Sequence, residues 1–266
     1  MQPFPETPTL GDAPDDLFEQ GHLWLQEWVV GAPLRFQVTE TGLAFGDDRR
    51  VFEQWAEPPG YGHAVRTVRE RFDEAAFRDA VDAPGEYTFL GEPTRNEGVD
   101  YDWSRLPGFL GVDLHGPGRG FRPPDVADQA FTRLGLDPVN ALRKELPARD
   151  IRPDRYAFPA SAWYDGPVAG VLARNKRGGR ALVRNDAVTG TDPPAVTPED
   201  LVAESVTAAR IDRTVAALGD GASVDAVLDR LVETLVREHY AALGDRVDAA
   251  AIRSAAAEPV ARRLGR

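Results

Sequence analysis

Arginines and carboxylates stand at the ends of several predicted strands, where side chains can meet a ligand. Glu92 closes the run Phe89-Leu90-Gly91, and Asp113 closes a second apolar run that starts at Phe109. Planar guanidinium groups bind phosphate through paired hydrogen bonds. Four arginines accompany these carboxylates: Arg35, Arg174, Arg180 and Arg184. These residue types therefore indicate that a phosphate-binding site is worth seeking.

Each of these groups also has a purely structural interpretation. Glu92 could form a salt bridge with Arg35 or Arg174 instead of contacting a ligand, and the sequence leaves both alternatives open. A basic patch in this acidic chain suggests phosphate binding, but a solvated hairpin turn explains it as well and is the preferred interpretation. The patch consists of Asn175-Lys176-Arg177, Arg180 and Arg184. The histidines show no metal-binding spacing, so no metal site is predicted.

The first two thirds of the chain predict mainly β-strands. Apolar runs at 23–30 and 34–38 flank Gly31-Ala32-Pro33 and, with a third strand at 43–45, predict an antiparallel meander. Further strands are predicted at residues 86–90, 107–114, 168–173 and 181–183. The glycines at 178 and 179 predict a hairpin turn between the last two strands.

Helical periodicity dominates the remaining segments. Apolar residues spaced three and four apart predict one or two amphipathic helices over residues 64–80 and a short helix over 125–134. Thr197, Ser223 and Asp248 are predicted helix starts in the C-terminal part. The predicted organisation is an α+β protein with an N-terminal extension (1–20), a core domain (21–190) and a small C-terminal helical domain (195–266).

The composition narrows the classes of function. The 266 residues are 42% apolar, which suffices for a buried core, and the absence of cysteine excludes disulfides, thiolate nucleophiles and cysteine metal sites. We find no signal peptide and no membrane span in the sequence, so we expect a cytoplasmic protein without membrane contacts. A net charge of −12 disfavours indiscriminate binding to nucleic acid.

Nearly all of the positive charge is arginine, because the only lysines are Lys144 and Lys176. An acidic chain that is poor in lysine resembles proteins from salt-loving organisms, in which net charge serves solubility. The argument from net charge against an RNA partner is then weaker.

The order of these motifs resembles the nucleotide-binding core of ATP-dependent RNA ligases, a branch of the covalent nucleotidyltransferases. The succession is strand, Gly31, strand, helix, a strand ending in Gly91-Glu92, an aromatic strand ending in Asp113, and the paired basic strands. The resemblance covers roughly residues 20–190. It implies an RNA/DNA ligase-type core of antiparallel sheets with flanking helices.

The first family motif is lysine, any residue, aspartate and glycine, and the lysine attacks the α-phosphate of ATP with the help of Mg²⁺. The matching positions here hold Trp28, Val30 and Gly31. The glutamate of the fourth motif, which helps to hold the metal ion, corresponds to Ala169. The fifth motif supplies lysines to the phosphates, whereas this chain has arginines around Leu182. Only the glycine of the first motif is retained.

Other family positions keep polar or aromatic residues. By resemblance, Glu92 matches the glutamate that contacts the ribose, and Phe109 belongs to the aromatic strand that lies against adenine. The candidate nucleotide-binding residues are Arg35, Glu92, Phe109, Arg174, Arg180 and Arg184.

Neither lysine of the chain can be a displaced nucleophile of the family type. Lys144 lies in a helix-like context, Lys176 lies in a predicted turn, and neither precedes an x-Asp-Gly sequence. Arginine cannot replace lysine, because its guanidinium group stays protonated, with a pKa above about 12. We therefore expect a relative of the family with degenerate catalytic motifs. In it the apolar residues Trp28, Val30 and Ala169 together replace the charged catalytic residues, and Trp28 fills the nucleotide pocket.

Trp28 is expected to be a core aromatic residue rather than a base-stacking platform. The expected protein no longer adenylates itself and retains binding to RNA, to a nucleotide, or to a protein partner through the C-terminal helices. The alternatives are an active ligase or nucleotidyltransferase with relocated catalytic groups, which would need ATP and Mg²⁺, and an unrelated α+β domain.

Overall fold

The computed structural model describes residues 1–14, 16–188, 190–219, 221–244 and 247–265. Asp15, Thr189, Asp220, Asp245, Arg246 and Arg266 lie outside the described residues, including parts of the predicted N-terminal extension and C-terminal domain. The chain forms two compact units. Unit 1 contains residues 1–57, 64–94 and 99–190, and unit 2 contains residues 58–63, 95–98 and 191–266.

Ten strands are described, and all of them lie in unit 1. In chain order they are β1 (His22–Trp28), β2 (Leu34–Thr39), β3 (Gly42–Gly46), β4 (Thr88–Pro93), β5 (Phe109–Gly116), β6 (Gly120–Phe121), β7 (Asp137–Pro138), β8 (Ala141–Pro147), β9 (Gly170–Arg174) and β10 (Arg180–Arg184). A four-stranded sheet has the order β10-β9-β1-β8, and a six-stranded sheet has the order β3-β2-β4-β5-β6 with β7 beside β5.

The predicted meander at the start of the chain is wrong. β1 does not pair with β2; it lies between β8 and β9 in the other sheet. The burial pattern gives the physical reason, because residues 23–27 are five consecutive buried positions. A strand buried on both faces belongs inside a sheet with a partner on each edge. Only β2 and β3 form the expected hairpin.

The helix-like interpretation of the segment around Lys144 is also wrong. Residues 141–147 form strand β8, which pairs antiparallel with β1. Leu142 and Leu146 pack against the buried core of the four-stranded sheet, whereas Lys144 is exposed. The pairing of β8 with β1 shifts register between Leu146 and Arg143, and Glu145 has a positive φ of 55°, so an irregularity in the strand leaves Lys144 exposed between the two leucines. This irregularity and the charged residues conceal the strand pattern in the sequence.

An aromatic core lies against one face of the six-stranded sheet. The rings of Phe36 and Phe89 are stacked with their centroids 4.8 Å apart, and Phe131 packs edge-on against Phe89. Three helices of this unit supply further side chains: α1 (Gly62–Arg71), α2 (Glu74–Ala80) and α3 (Pro124–Arg133). The predicted helices at 64–80 and 125–134 are therefore confirmed.

Unit 2 is built from helices. They are α4 (Pro198–Ser205), α5 (Ala208–Leu218), α6 (Val224–Leu243) and α7 (Ala249–Arg263). Thr197, Ser223 and Asp248 each accept a hydrogen bond from a backbone N–H of the first turn, so the predicted helix starts are confirmed. Their apolar faces share a core that includes Leu201, Leu231 and Ile252. No helix in the described ranges combines the length and hydropathy needed to span a membrane.

Candidate functional site

The C-terminal end of β1 brings Trp28 against the paired strands β9 and β10. Trp28 pairs with Gly170, which in turn pairs with Arg184. A Cβ atom on Gly170 would lie only 2.9 Å from Cε3 of the Trp28 ring, so the indole lies directly on the glycine backbone. The guanidinium carbon of Arg184 is 5.3 Å from the centroid of the same ring. The half-buried indole thus fills the space between the glycine and the arginine.

An apolar cluster surrounds the residues that follow Trp28. Val29 is buried together with Tyr101, Leu106 and Leu110. The backbone N–H of Val30 donates a hydrogen bond of 3.0 Å to the Tyr101 hydroxyl. Further partly buried hydrophobic residues pack against this cluster, namely Val30, Trp103, Trp163, Tyr164 and Val188. Position 30, which the resemblance matches to an acidic residue, therefore lies among apolar and aromatic groups.

Glu92 lies in a recess beside Gly31. A Cβ atom on Gly31 would be 3.7 Å from Oε2 of Glu92 and 2.9 Å from the carbonyl oxygen of Pro93. The side chain keeps partial solvent access, yet protein atoms surround it, and this desolvation raises the pKa of Glu92 to about 8. At neutral pH the group is then a carboxylic acid, which can both donate and accept a hydrogen bond.

The salt bridges considered for Glu92 do not form. Arg35 is buried and donates a hydrogen bond of 2.9 Å to the carbonyl oxygen of Gln2. Arg174 donates a hydrogen bond to Asp113 instead of Glu92. Within the described ranges, no side chain donates a hydrogen bond to the Glu92 carboxyl. The recess therefore contains an acid without a protein partner, as a ligand-binding role would require.

Asp113 is instead the partner of two buried arginines. Arg174 donates to Oδ1 of Asp113, and Arg180 donates to both carboxylate oxygens at 2.8 and 3.1 Å. Arg174 also donates to Oε1 of Gln26 at 3.1 Å and to the carbonyl oxygen of Val112 at 2.8 Å. Burial alone would raise the pKa of Asp113, but the two guanidinium groups hold it below its usual value.

Phe109 occupies the helix-facing side of the six-stranded sheet. Its side chain is 1% exposed, and its ring lies 5.9 Å from that of Phe36 and 6.2 Å from that of Phe131. Glu92 lies on the opposite face, because its antiparallel partner is Leu110, the residue after Phe109. The structure therefore does not bring Phe109 and Glu92 into one pocket.

A buried glutamate that sequence reasoning missed lies one residue before Trp28. The carboxylate of Glu27 accepts hydrogen bonds from Asn140 Nδ2 at 2.8 Å, Ser161 Oγ at 2.5 Å and the backbone N–H of Ala162 at 3.2 Å. The sequence signal that could have identified Glu27 is a charged residue within a predicted apolar strand. Because three donors already satisfy it, Glu27 fixes the 160–162 segment to β1.

The side chains around Trp28 and Ala169 do not supply the ligands for a metal ion bound together with a nucleotide. Ala169 is 3% exposed at the position that the resemblance matches to a metal-binding glutamate. In the part of the chain that the structure describes, no three carboxylate or histidine side chains are grouped as a metal site would require.

The contact between Trp28 and Gly170 gives a testable expectation. Gly170→Ala should destabilise unit 1 by about 1 to 3 kcal/mol, because the new methyl group overlaps the indole and approaches the Val183 carbonyl oxygen. The same substitution in a Trp28→Ala background should cost clearly less. Urea denaturation of the four proteins measures the coupling. Equal costs in both backgrounds would contradict this packing.

Comparison with known proteins identifies the fold. No family model matches the sequence, and no curated protein matches it. The solved structures that match include three of Naegleria gruberi RNA ligase: a mutant with ATP and Mn (TM-score 0.55, 9% identity), a second mutant with ATP and Mn (0.54, 10%) and the ligase with PPi (0.53, 10%). Each match covers 70% of this chain.

The chain therefore has the RNA ligase-type nucleotidyltransferase fold, as the order of its motifs predicted. This protein spans only a little over half of the length of the solved ligases. The match covers 57% of the first ligase chain and 56% of each of the other two. At such low identity the likeness establishes the arrangement of the elements and nothing about the chemistry.

Proposed function

We propose that this chain, which has an RNA ligase-type fold, does not adenylate itself and acts by binding its ligand without a covalent intermediate. The observation that carries the proposal is Trp28. In the family that the sequence resembles, this position holds the lysine that attacks ATP. Here the indole lies on Gly170 and beneath Arg184, so it occupies space that a lysine and an adenylate would need.

The surroundings of the two lysines support the same proposal. Lys176 lies in the turn between β9 and β10, at the end of the sheet away from Trp28, and is 2.8 Å from both Asp125 and Glu145. Those carboxylates raise the pKa of Lys176, and the hydrogen bond with Asp125 is the largest cause. Lys144 is 3.2 Å from Asp128 and lies over the Trp24 ring. A protonated, ion-paired amine is a poor nucleophile.

The recess around Glu92 supports a retained binding role. A neutral carboxylic acid can approach a phosphorylated ligand without charge repulsion, and it can donate a hydrogen bond to a phosphate or sugar oxygen. The apolar cluster around Tyr101 lies beside the Trp28 site. Arg184, which is exposed and lies over the Trp28 ring, supplies a cation for a phosphate. We propose RNA, which offers phosphates and 2′-hydroxyls, as the ligand class.

The first test is incubation of the purified chain with α-labelled ATP and Mg²⁺. We expect no labelled protein after denaturing electrophoresis, because no free lysine amine is available at the site. A stable adduct would refute the proposal and favour relocated catalytic groups, and mass spectrometry of the labelled peptide would identify them. Binding of RNA is then measured separately by fluorescence anisotropy, with wild type and Glu92→Ala.

A revertant, a variant in which the family's catalytic residues are restored, tests whether the scaffold can still support self-adenylation. The variant carries Trp28→Lys, Val30→Asp, Ala169→Glu and Leu182→Lys. Its matched control has Trp28→Arg with the same three other changes, since arginine gives equal charge but no nucleophile at working pH. We expect a labelled adduct with the revertant alone. A label on both variants would show that position 28 is not the reacting group. Circular dichroism verifies that each variant folds.

A further inference from the structure

A second cleft lies at the other end of the β9–β10 hairpin, in unit 1. It has a volume of about 380 Å³, and its lining includes Arg119, Arg122, Arg174, Lys176, Arg177 and Arg180. The Phe121 ring forms an apolar part of the wall. Among its lining residues, all in the described part of the chain, there is no carboxylate. A cleft lined by cations in a chain of net charge −12 is unexpected from composition.

This cleft is separate from the Trp28 site. Trp28 pairs with Gly170, whereas Arg174 pairs with Trp24, four residues earlier on β1. At about 3.3 Å per residue, roughly 13 Å of strand separates the two positions. Arg174 and Arg180 are among the candidate nucleotide-binding residues, whereas the resemblance to RNA ligases assigns no role to Arg119, Arg122 or Arg177.

The positive charge of the cleft is only partly neutralised. Arg174 and Arg180 are 2% and 7% exposed and share the single carboxylate of Asp113. The guanidinium group of Arg122 donates to the carbonyl oxygens of Gly120 and Pro117 at 3.2 and 3.1 Å, so its charge has no acidic partner in the described structure. Lys176, by contrast, contacts two carboxylates, those of Asp125 and Glu145.

Two further guanidinium groups remain available to a ligand. Arg119 and Arg177 are exposed, and neither forms an ion pair with any residue that the structure describes. Arg177 follows Asn175, whose side-chain oxygen accepts hydrogen bonds from the backbone N–H groups of Arg177 and Gly179, both at 2.9 Å. The turn that carries Arg177 is therefore fixed by its own hydrogen bonds, which reduces the entropy lost on binding.

From this arrangement we propose that the cleft binds a compact phosphate-bearing ligand. Guanidinium groups match phosphate oxygens in pairs, and five of the six cations here are arginines. The volume lies within the range of small-ligand sites and exceeds that of one phosphate ion, so the ligand carries either a second phosphate or an organic group against Phe121.

The test uses pyrophosphate as the probe in isothermal titration calorimetry at about 0.1 M salt, where unpaired surface charges are already screened. We expect the double variant Arg119→Glu and Arg177→Glu to bind at least about tenfold more weakly than wild type, since two charge-assisted contacts are reversed. The control is Arg149→Glu and Arg213→Glu, two exposed arginines that are not among the lining residues of the cleft and that change the net charge equally. It should change the affinity less than about twofold.

Two RNA probes separate the sources of the phosphate. A short RNA with a 5′-phosphate and the same RNA with a 5′-hydroxyl are compared by anisotropy. Tighter binding of the phosphorylated RNA, lost in the Arg119/Arg177 variant, assigns the cleft to RNA ends. Pyrophosphate binding without that difference assigns it to free phosphates. Absence of binding by wild type, or equal losses in the cleft and control variants, overturns the proposal. Arg122→Gln supplies a third variant with a smaller expected loss.

Discussion

Asp113→Ala should destabilise unit 1 by about 3 to 5 kcal/mol. The substitution leaves two buried guanidinium groups, those of Arg174 and Arg180, without the one carboxylate that both contact. All five tryptophans lie in unit 1, so urea denaturation followed by tryptophan fluorescence reports this unit alone. Unpaired buried charges also bring water into the core, so the emission maximum of the folded variant should shift to the red.

An exposed ion pair in the same unit provides the control. Asp128→Ala removes the partner of Lys144, a surface pair with an N–O distance of 3.2 Å, and should cost no more than about 1 kcal/mol. A loss below about 1 kcal/mol for Asp113→Ala as well would mean that water or another group already neutralises the two arginines. Asp113→Asn keeps the side-chain shape and should be nearly as destabilising as alanine, because the missing feature is the charge.

The ion pairs of Asp113 with Arg174 and Arg180 also predict how the stability difference between wild type and Asp113→Ala depends on pH. The pKa of Asp113 is lower in the folded chain than in the unfolded one, so its ionised form stabilises the fold above the ordinary aspartate range. This contribution is lost as the pH falls through the depressed folded value. The stability difference between wild type and Asp113→Ala should therefore be constant near neutrality and shrink in strong acid.

Glu92→Gln should make unit 1 more stable relative to wild type as the pH rises. The pKa of Glu92 is raised from 4.5 to about 8, so the folded chain holds a proton that the unfolded chain has already released over that interval. Wild-type stability then falls with pH by roughly 1.4 kcal/mol per unit between these values, whereas glutamine mimics the protonated acid at every pH. The total relative gain should be about 3 to 5 kcal/mol by pH 8 to 9.

The measurement is a set of urea denaturations of both proteins between pH 5 and 9. Glu40→Gln, at an exposed turn position, is the control for loss of one carboxylate and should keep a constant offset from wild type. Parallel pH profiles for Glu92→Gln and wild type would mean that Glu92 ionises as an ordinary surface acid. In that case the argument that a neutral acid approaches a phosphorylated ligand at the recess would also fail.

The fold could be predicted because the order of its motifs is local information. Gly31, the Gly91-Glu92 strand end and the β9–β10 hairpin are each visible in a few residues, and the helix starts at Thr197 and Ser223 follow from capping chemistry. The sorting of strands into sheets could not be predicted. β1 and β2 are adjacent in sequence but lie in different sheets, since each pairs with strands far along the chain.

The candidate site was predictable only in part for the same reason. Glu92 was recognised from its position at a strand end, and its lack of a partner is a property of three-dimensional packing. Asp113 and Arg180 are 67 residues apart, so nothing in the spacing indicated that they bond. Arg119 and Arg177 come from hairpins of different sheets, yet both line the same cleft. Sequence patterns identify residue types, and long-range pairing decides which of them share a surface.

The placement of β1 between β8 and β9 has a consequence for how the chain is made. The strand emerges early in synthesis, yet its partners on β9 follow about 140 to 150 residues later. At roughly 5 to 20 residues per second, a strand with five consecutive buried positions waits on the order of 7 to 30 s before it can pair with β9. During that interval a chaperone, or transient local contacts of the nascent chain, must keep residues 22–28 from pairing with another copy.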